Sequence, residues 1–423
     1  MKLKKKKFST MFALLLILFM STNVFAENSV SSNPNPNIYA QAAISIDLKT
    51  NEIIYEKNID NMMYPASTTK LLTALLLSEN KSKTDYLTYT ESAKSQPEYS
   101  LNTNLHPISV GDKMTAGDAM YGLLLYSGND VAYMIADNVA GNSQNFMDKM
   151  NEEVKKLNLK NTHFITPNGL HDKDHYTTAY DLSVIARAAY KNEWVQSAMG
   201  TKKATIATAS GISMNVENRN KLLGSNGCIA GKTGYTTEAG KCLVAVYERD
   251  GRRILGVVMK SVYDKDDTFV YNDMEKVINW SYAEKPKSLY TKNSVIKTET
   301  FKYKPLIFIG PEKTLQVPIT TKEDVTYYDN KVNKSDLKEN YDLNNLNLSK
   351  LTGSKSIGTL KITERDSVKS YELYSTISKG TIIKENIILY LGSLAVLAAL
   401  IAGLILMIKK IKFSRRKKNR RYY

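Results

Sequence analysis

Residues Ile387 to Ile408, "IILYLGSLAVLAALIAGLILMI", run 22 positions without one charged side chain. A helix rises about 1.5 Å per residue, so this stretch reaches about 33 Å, enough to cross a bilayer's hydrocarbon core. The tail behind it, "KKIKFSRRKKNRRYY" (residues 409–423), holds nine Lys or Arg and no acid. Such a flank stops transfer and stays on the cytoplasmic side, where it also suits anionic lipid headgroups. At the other end, Lys2 and Lys4 to Lys7 precede the apolar run "MFALLLILFM", and Val24-Phe25-Ala26 offers a cleavage site. Residues 1–26 therefore read as a secretory signal, with an apolar run too short to span. One crossing is expected, placing the bulk of the chain outside the cytoplasm at the cell membrane.

The targeting ends also account for the charge. The formal net charge is +16, from 58 basic and 42 acidic residues. Five basic residues lie in the signal and nine in the tail, so 44 remain against 42 acids. That balance leaves no basic footprint for a nucleic acid. Two cysteines, Cys228 and Cys242, make no disulfide scaffold or zinc spacing. The four histidines form no HExxH pattern, and neither a metal nor an organic cofactor is implied.

The extracytoplasmic part is long enough for two domains. "AAISIDL" and "EIIYEKN" flank the turn Lys49-Thr50-Asn51 as a hairpin. Residues 115–160 are largely helical by pattern, and "TAYDLSVIARAAYKN" predicts a helix capped by Thr178. Strands return at "GCIAGKTG", "KCLVAVYERD" and "RRILGVVMKS", the last two joined by Asp250-Gly251. A helix over 268–283 closes the domain. The fold class is α/β (α+β): an antiparallel sheet flanked by helices over 38–283. Strand-like runs separated by polar turns then predict a small all-β domain over 288–380, standing next to the membrane span.

The chemistry-bearing residues begin in "MMYPASTTKLLTALLLSEN", Met62 to Asn80. Ser67 and Lys70 lie three apart, on one face of a helix that is apolar nearly all round. A serine hydroxyl is a weak nucleophile until a base takes its proton, and a lysine serves once burial or other cations depress its pKa. The S-x-x-K pattern alone is weak, since it recurs at Ser78/Lys81 and Ser335/Lys338. Two further elements add weight: Ser127-Gly128-Asn129 between apolar helical runs, and Lys232-Thr233-Gly234 at the end of a predicted strand. The order S-x-x-K, S-x-N, K-T-G is that of penicillin-binding proteins and class A β-lactamases.

"YPASTTKLLTALL", "LLLYSGNDVA", "FITPNGLHDKDHYTTAYDLSVIAR" and "GKTGYTTEAGKCLVAV" resemble the low-molecular-mass penicillin-binding proteins, the serine D-alanyl-D-alanine carboxypeptidases. The resemblance covers about 38–283, with a weaker likeness over the β domain. It implies a β-lactamase/transpeptidase-like fold and hydrolysis of the terminal D-alanine of peptidoglycan stem peptides, with β-lactam antibiotics as covalent inhibitors. It further implies Ser67 as nucleophile, Lys70 as base, Ser127 as proton relay and Asn129 as holder of the substrate amide and Lys70. Lys232 and Thr233 would take the substrate carboxylate. Gly234 would allow close approach, and the N–H groups of Ser67 and Tyr235 would form the oxyanion hole. His171 and His175 are expected to support a loop. A D,D-endopeptidase, a β-lactamase and a silent peptidoglycan-binding protein remain as alternatives. The β-lactamase glutamate pattern E-x-x-L-N has only an imperfect counterpart at Glu153 to Asn158. Cys228 and Cys242 flank Tyr235 symmetrically, so antiparallel strands could oppose them as a disulfide or leave two buried thiols.

Overall fold

The computed structural model describes residues 34–419 apart from 98, 307–309 and 344–345. The expected signal (1–26) lies outside the described residues, as do most of the polar leader after it and the last four residues of the tail.

Five antiparallel strands form the central sheet: β1 Ala42–Asp47, β2 Ile53–Lys57, β3 Cys228–Thr236, β4 Gly240–Arg249 and β5 Arg252–Ser261. Their order is β2-β1-β5-β4-β3, which leaves β3 as an edge. Both faces are covered, which is why β4 reads as a nearly continuous apolar run. Its side chains still alternate. Val244 and Val246 join the larger core with Leu71, Leu75 and Leu182. Leu243, Ala245 and Tyr247 join a second core with Met274 and Ile278.

The first core surrounds α1, Lys70–Asn80, whose residues 70 to 77 are all buried. Packed with it are α2 Asn129–Ala140, α3 Ser143–Lys156 and α4 Ala179–Lys191. Thr178 caps α4 by accepting from the Asp181 N–H, as expected. The opposite face carries α5, Thr268–Ala283. The Asp250-Gly251 turn joins β4 to β5, both residues having positive φ.

The second domain has a five-stranded antiparallel sheet: β6 Val295–Tyr303, β7 Lys313–Thr321, β8 Lys338–Leu343, β9 Gly358–Glu364 and β10 Ser367–Ser375, in the order β6-β7-β10-β9-β8. It is not purely β. Short helices at Lys331–Asp336 and Leu348–Leu351 interrupt it, each begun by an asparagine side-chain cap. Polar bonds fix it to the first domain. Arg365 grips Asp60 through two nitrogens at 2.7 Å, Arg187 pairs with Asp366 at 2.7 Å, and Lys369 pairs with Glu52 at 2.6 Å.

The long helix α6, Lys379–Asn419, includes the apolar span. It starts before that span. Ile382 enters the core of the β domain, and the Asn386 side chain donates to Tyr303 Oη at 2.7 Å. The first two turns of α6 therefore belong to the β domain. A chain ended at Gly380 is expected to be less stable than one ended at Asn386, by about 2 kcal/mol or more. Scanning calorimetry of the two truncations checks this; equal midpoints would remove Ile382 and Asn386 from the core.

Candidate active site

The turn before α1 is a 3₁₀ segment, Ala66–Thr69, with Ala66 at φ 48°. It places Ser67, half-buried, one turn ahead of Lys70. Lys70 Nζ lies 3.0 Å from Ser67 Oγ, 2.9 Å from Asn129 Oδ1 and 2.7 Å from the Asn168 carbonyl. The lysine is 0% exposed, so desolvation disfavours its charge, and the nearby Lys232 and Arg219 cations push in the same direction. Its pKa falls well below the ordinary lysine value.

Asn129 and Ser127 come from an irregular helix junction. Gly122–Tyr126 forms a π-helical turn, and Ser127 follows at φ 74°, ψ 33°. This left-handed residue ends the first helix before α2 begins at Asn129. Ser127 Oγ accepts from Lys232 Nζ at 2.9 Å, and Lys232 also donates to the Thr233 carbonyl at 2.8 Å. Asp130 fixes the opposite loop by accepting from the N–H groups of Leu101 and Asn102 at 3.0 Å and from Tyr89 Oη at 3.0 Å. Asn129 N–H donates to the Tyr99 carbonyl at 2.9 Å, which brings Tyr99 to the same cleft.

Lys232, Thr233, Gly234 and Tyr235 lie on β3, which continues to Thr236. Lys232 is thus inside the strand and 1% exposed, not at a strand end. Burial is the first cause that lowers its pKa to about 7, and Arg219 adds to it. A Cβ on Gly234 would stand 3.0 Å from the nitrogens of both Ser67 and Thr68, so glycine lets the strand press against the Ser67 turn. Ser67, Ser127, Asn129, Thr233, Gly234 and Tyr235 all line one cleft. All eight sequence-predicted residues are therefore brought together, with Lys70 and Lys232 just beneath.

The S-x-x-K matches at Ser78/Lys81 and Ser335/Lys338 are not centres of this kind. Ser78 and Ser335 donate to the carbonyls of Leu75 and Val332 within their own helices. Glu153 pairs with Lys156 on α3 and does not line the cleft. Cys228 and Cys242 are free thiols. The hairpin closes between Thr236 and Gly240, three residues beyond Tyr235, so Cys242 faces Gly234 while Cys228 faces Tyr247. The register, set by the turn, excludes the disulfide that symmetry about Tyr235 allowed.

Two contributions were missing from the sequence reading. One is the Asn168 carbonyl; Gly169 beside it, at φ 84°, is so close that a Cβ would strike the Ala66 carbonyl at 2.0 Å. The other is Arg219, which lines the cleft with its guanidinium over the rings of Tyr99 and Tyr126, at 5.0 and 4.9 Å. The Pro167-Asn168-Gly169 turn was a visible signal for the first; nothing local marked the second.

His175 is buried under the Ser67 turn. Its Nδ1 accepts from the Ile165 N–H at 3.0 Å, so Nε2–H donates to Thr69 Oγ1 at 2.9 Å. Burial lowers its pKa from 6.5 to about 3. The unfolded chain then binds one more proton than the folded one between these values. His175 contributes fully above pH about 6.5, and its contribution falls as pH drops toward 3, at about 1.4 kcal/mol per pH unit. Glu364, raised to about 7 by burial, acts in the opposite sense. The test is therefore the stability difference between wild type and His175→Asn, followed by urea unfolding from pH 7 to 5. That difference is expected to shift against wild type as pH falls; a constant difference would contradict a neutral buried His175.

A family model for D-alanyl-D-alanine carboxypeptidase matches residues 28–262. D-alanyl-D-alanine carboxypeptidase DacF of Bacillus subtilis is 27% identical over 321 residues, 75% of this chain and 82% of that protein. DacD of Escherichia coli, of the same description, is 34% identical over 256 residues, 58% of this chain and 65% of that protein. The crystal structure of the Streptomyces K15 DD-transpeptidase is similar at TM-score 0.54 and 30% identity, covering 60% of this chain and 100% of that one. The D-alanyl-D-alanine carboxypeptidase structure from Mycobacterium tuberculosis H37Rv gives TM-score 0.56 at 29% identity, over 61% of this chain and 96% of that one. The helix-flanked antiparallel sheet is thus the fold of the DD-transpeptidase. The chain belongs to the D-alanyl-D-alanine carboxypeptidase family.

Proposed function

We propose that this protein is a serine D-alanyl-D-alanine carboxypeptidase that removes the terminal D-alanine from peptidoglycan stem pentapeptides. The observation that carries this is the environment of Lys70: a fully buried amine with Ser67 Oγ on one side and two carbonyl oxygens, of Asn129 and Asn168, on the others. A neutral amine has two N–H groups and one lone pair. The two carbonyls take the N–H groups, and the lone pair is left for the Ser67 hydroxyl proton. The positive charge of the neighbouring Lys232 disfavours a second charge on Lys70 and so favours Lys70 as the neutral base.

Lys70 takes the Ser67 proton as Oγ bonds to the carbonyl carbon between the two D-alanines. The N–H groups of Ser67 and Tyr235 stabilise the oxyanion. Lys70 gives that proton up through the Ser127 hydroxyl to the departing nitrogen and is neutral again, the C–N bond breaks, and D-alanine leaves with its carboxylate on Lys232. Water then attacks the ester carbonyl, Lys70 accepts its proton, and that proton passes to Ser67 Oγ as the acyl C–O bond breaks. A β-lactam opens on Ser67 by the same attack, but its leaving nitrogen stays tethered and blocks the water. The anchor α6 would hold this site outside the membrane, its basic tail inside.

Defined stem peptides test the reading. Release of one D-alanine from a pentapeptide, with a tetrapeptide left intact, supports it. Cleavage of cross-linked dimers with the pentapeptide untouched would replace it with an endopeptidase.

A further inference from the structure

The cleft does not end at Tyr235. It continues past Lys241 and Asp267 at the start of α5. Lys241 is the cross-strand partner of Tyr235. Its Nζ lies 4.5 Å from the centre of the Tyr235 ring and 4.9 Å from that of Tyr263, and it is ion-paired with Asp267. The two rings lean together with centroids 4.9 Å apart. Irregular backbone builds this arrangement. The β4–β5 register shifts between Lys241 and Leu243, and both Lys260 and Asp267 have positive φ, 54° and 61°. A bulge beside an active site re-aims a side chain, and strained non-glycine residues gather where a geometry is being enforced.

The position along the strand gives the cluster its meaning. Lys232, the proposed holder of the terminal carboxylate, and Tyr235 are three residues apart on β3, about 10 Å at strand rise. The attacked carbonyl lies between them. A substrate laid along this edge would carry its stem, on the acyl side, past Tyr235 towards Lys241. The third residue of the stem, two residues before the chain end, lies about 7 Å from the terminal one at strand rise, and its long side chain spans the rest. Lys241 already stands over one face of each ring, and its positive charge repels a substrate cation. A carboxylate gains a desolvated ammonium whose remaining N–H directions Asp267 does not use.

We propose that Lys241, held by Tyr235, Tyr263 and Asp267, forms an acyl-side subsite that selects stem peptides bearing a free carboxylate on the third residue's side chain, a diamino diacid, over those in which it is amidated or replaced by lysine. This rests on the carboxypeptidase reading above. The test uses the full-length enzyme and three pentapeptides, with the third residue a diamino diacid, its side-chain amide, or lysine. Wild type is expected to prefer the free carboxylate in kcat/KM by about tenfold, with most of the difference in KM. Lys241→Met should reduce that ratio to near one, and Lys241→Arg should restore part of it. Equal rates on all three peptides with wild type would overturn the subsite while leaving the carboxypeptidase reading intact. A preference that survives in Lys241→Met would also overturn it. No hydrolysis of any peptide would remove the reading and the subsite together. The comparison among substrates with wild type does not depend on how any variant folds.

Discussion

Replacing Lys70 by methionine is expected to slow acylation by a β-lactam about 10³-fold, because the serine then loses the base proposed for it. Methionine keeps most of the buried volume, which matters because Lys70 is fully enclosed by core side chains. The two carbonyls of Asn129 and Asn168 lose a donor, so some stability should go as well. The decisive comparison is therefore between rate and fold. Stopped-flow acylation should collapse while the thermal midpoint drops by only a few degrees. Acylation within a few fold of wild type would show that Lys70 is a structural cation and that another base serves Ser67.

The second large effect concerns Lys232. Its charge disfavours protonation of Lys70, so its removal should let the Lys70 pKa rise. A base whose pKa rises is neutral only at higher pH. The acid limb of the rate profile of Lys232→Ala should therefore move alkaline. The variant also loses the cation proposed for the substrate carboxylate and the bond to Ser127 at 2.9 Å. A fall in kcat/KM of about 10²-fold or more on D-Ala-D-Ala peptides is expected. Lys232→Arg keeps the charge with a different donor geometry and should retain more activity than alanine. Wild-type turnover with an unmoved pH profile in the alanine variant would end the carboxylate-binding role.

Much of this was legible from residue order. The β4–β5 hairpin announced itself through Asp250-Gly251, and the helix over 268–283 through its spacing. The site was legible because its chemistry sits in short patterns that need particular side chains: Ser67 and Lys70, Ser127 and Asn129, Lys232 to Tyr235. What escaped has a common cause. Asn168 acts through its backbone carbonyl, which every residue possesses, so only the fold reveals which carbonyl meets Lys70. Arg219 is one arginine among many charges until Tyr99 and Tyr126 are brought beside it. The cysteine register depended on where the β3–β4 turn closes, and a shift of the hairpin centre by a few residues separated two thiols that looked symmetric. The β domain read as strands alone because β8, "KENYDL", is a polar edge strand and the short helix before it is only six residues long.

The carboxypeptidase reading requires Ser67 to form the acyl-enzyme. Mass spectrometry of the full chain after brief exposure to a penicillin tests it most directly. One adduct per chain is expected, with the mass of the intact antibiotic, located by proteolysis on Ser67 and absent from Ser67→Ala. An adduct on any other serine, Ser127 included, or continued labelling of Ser67→Ala, would contradict it.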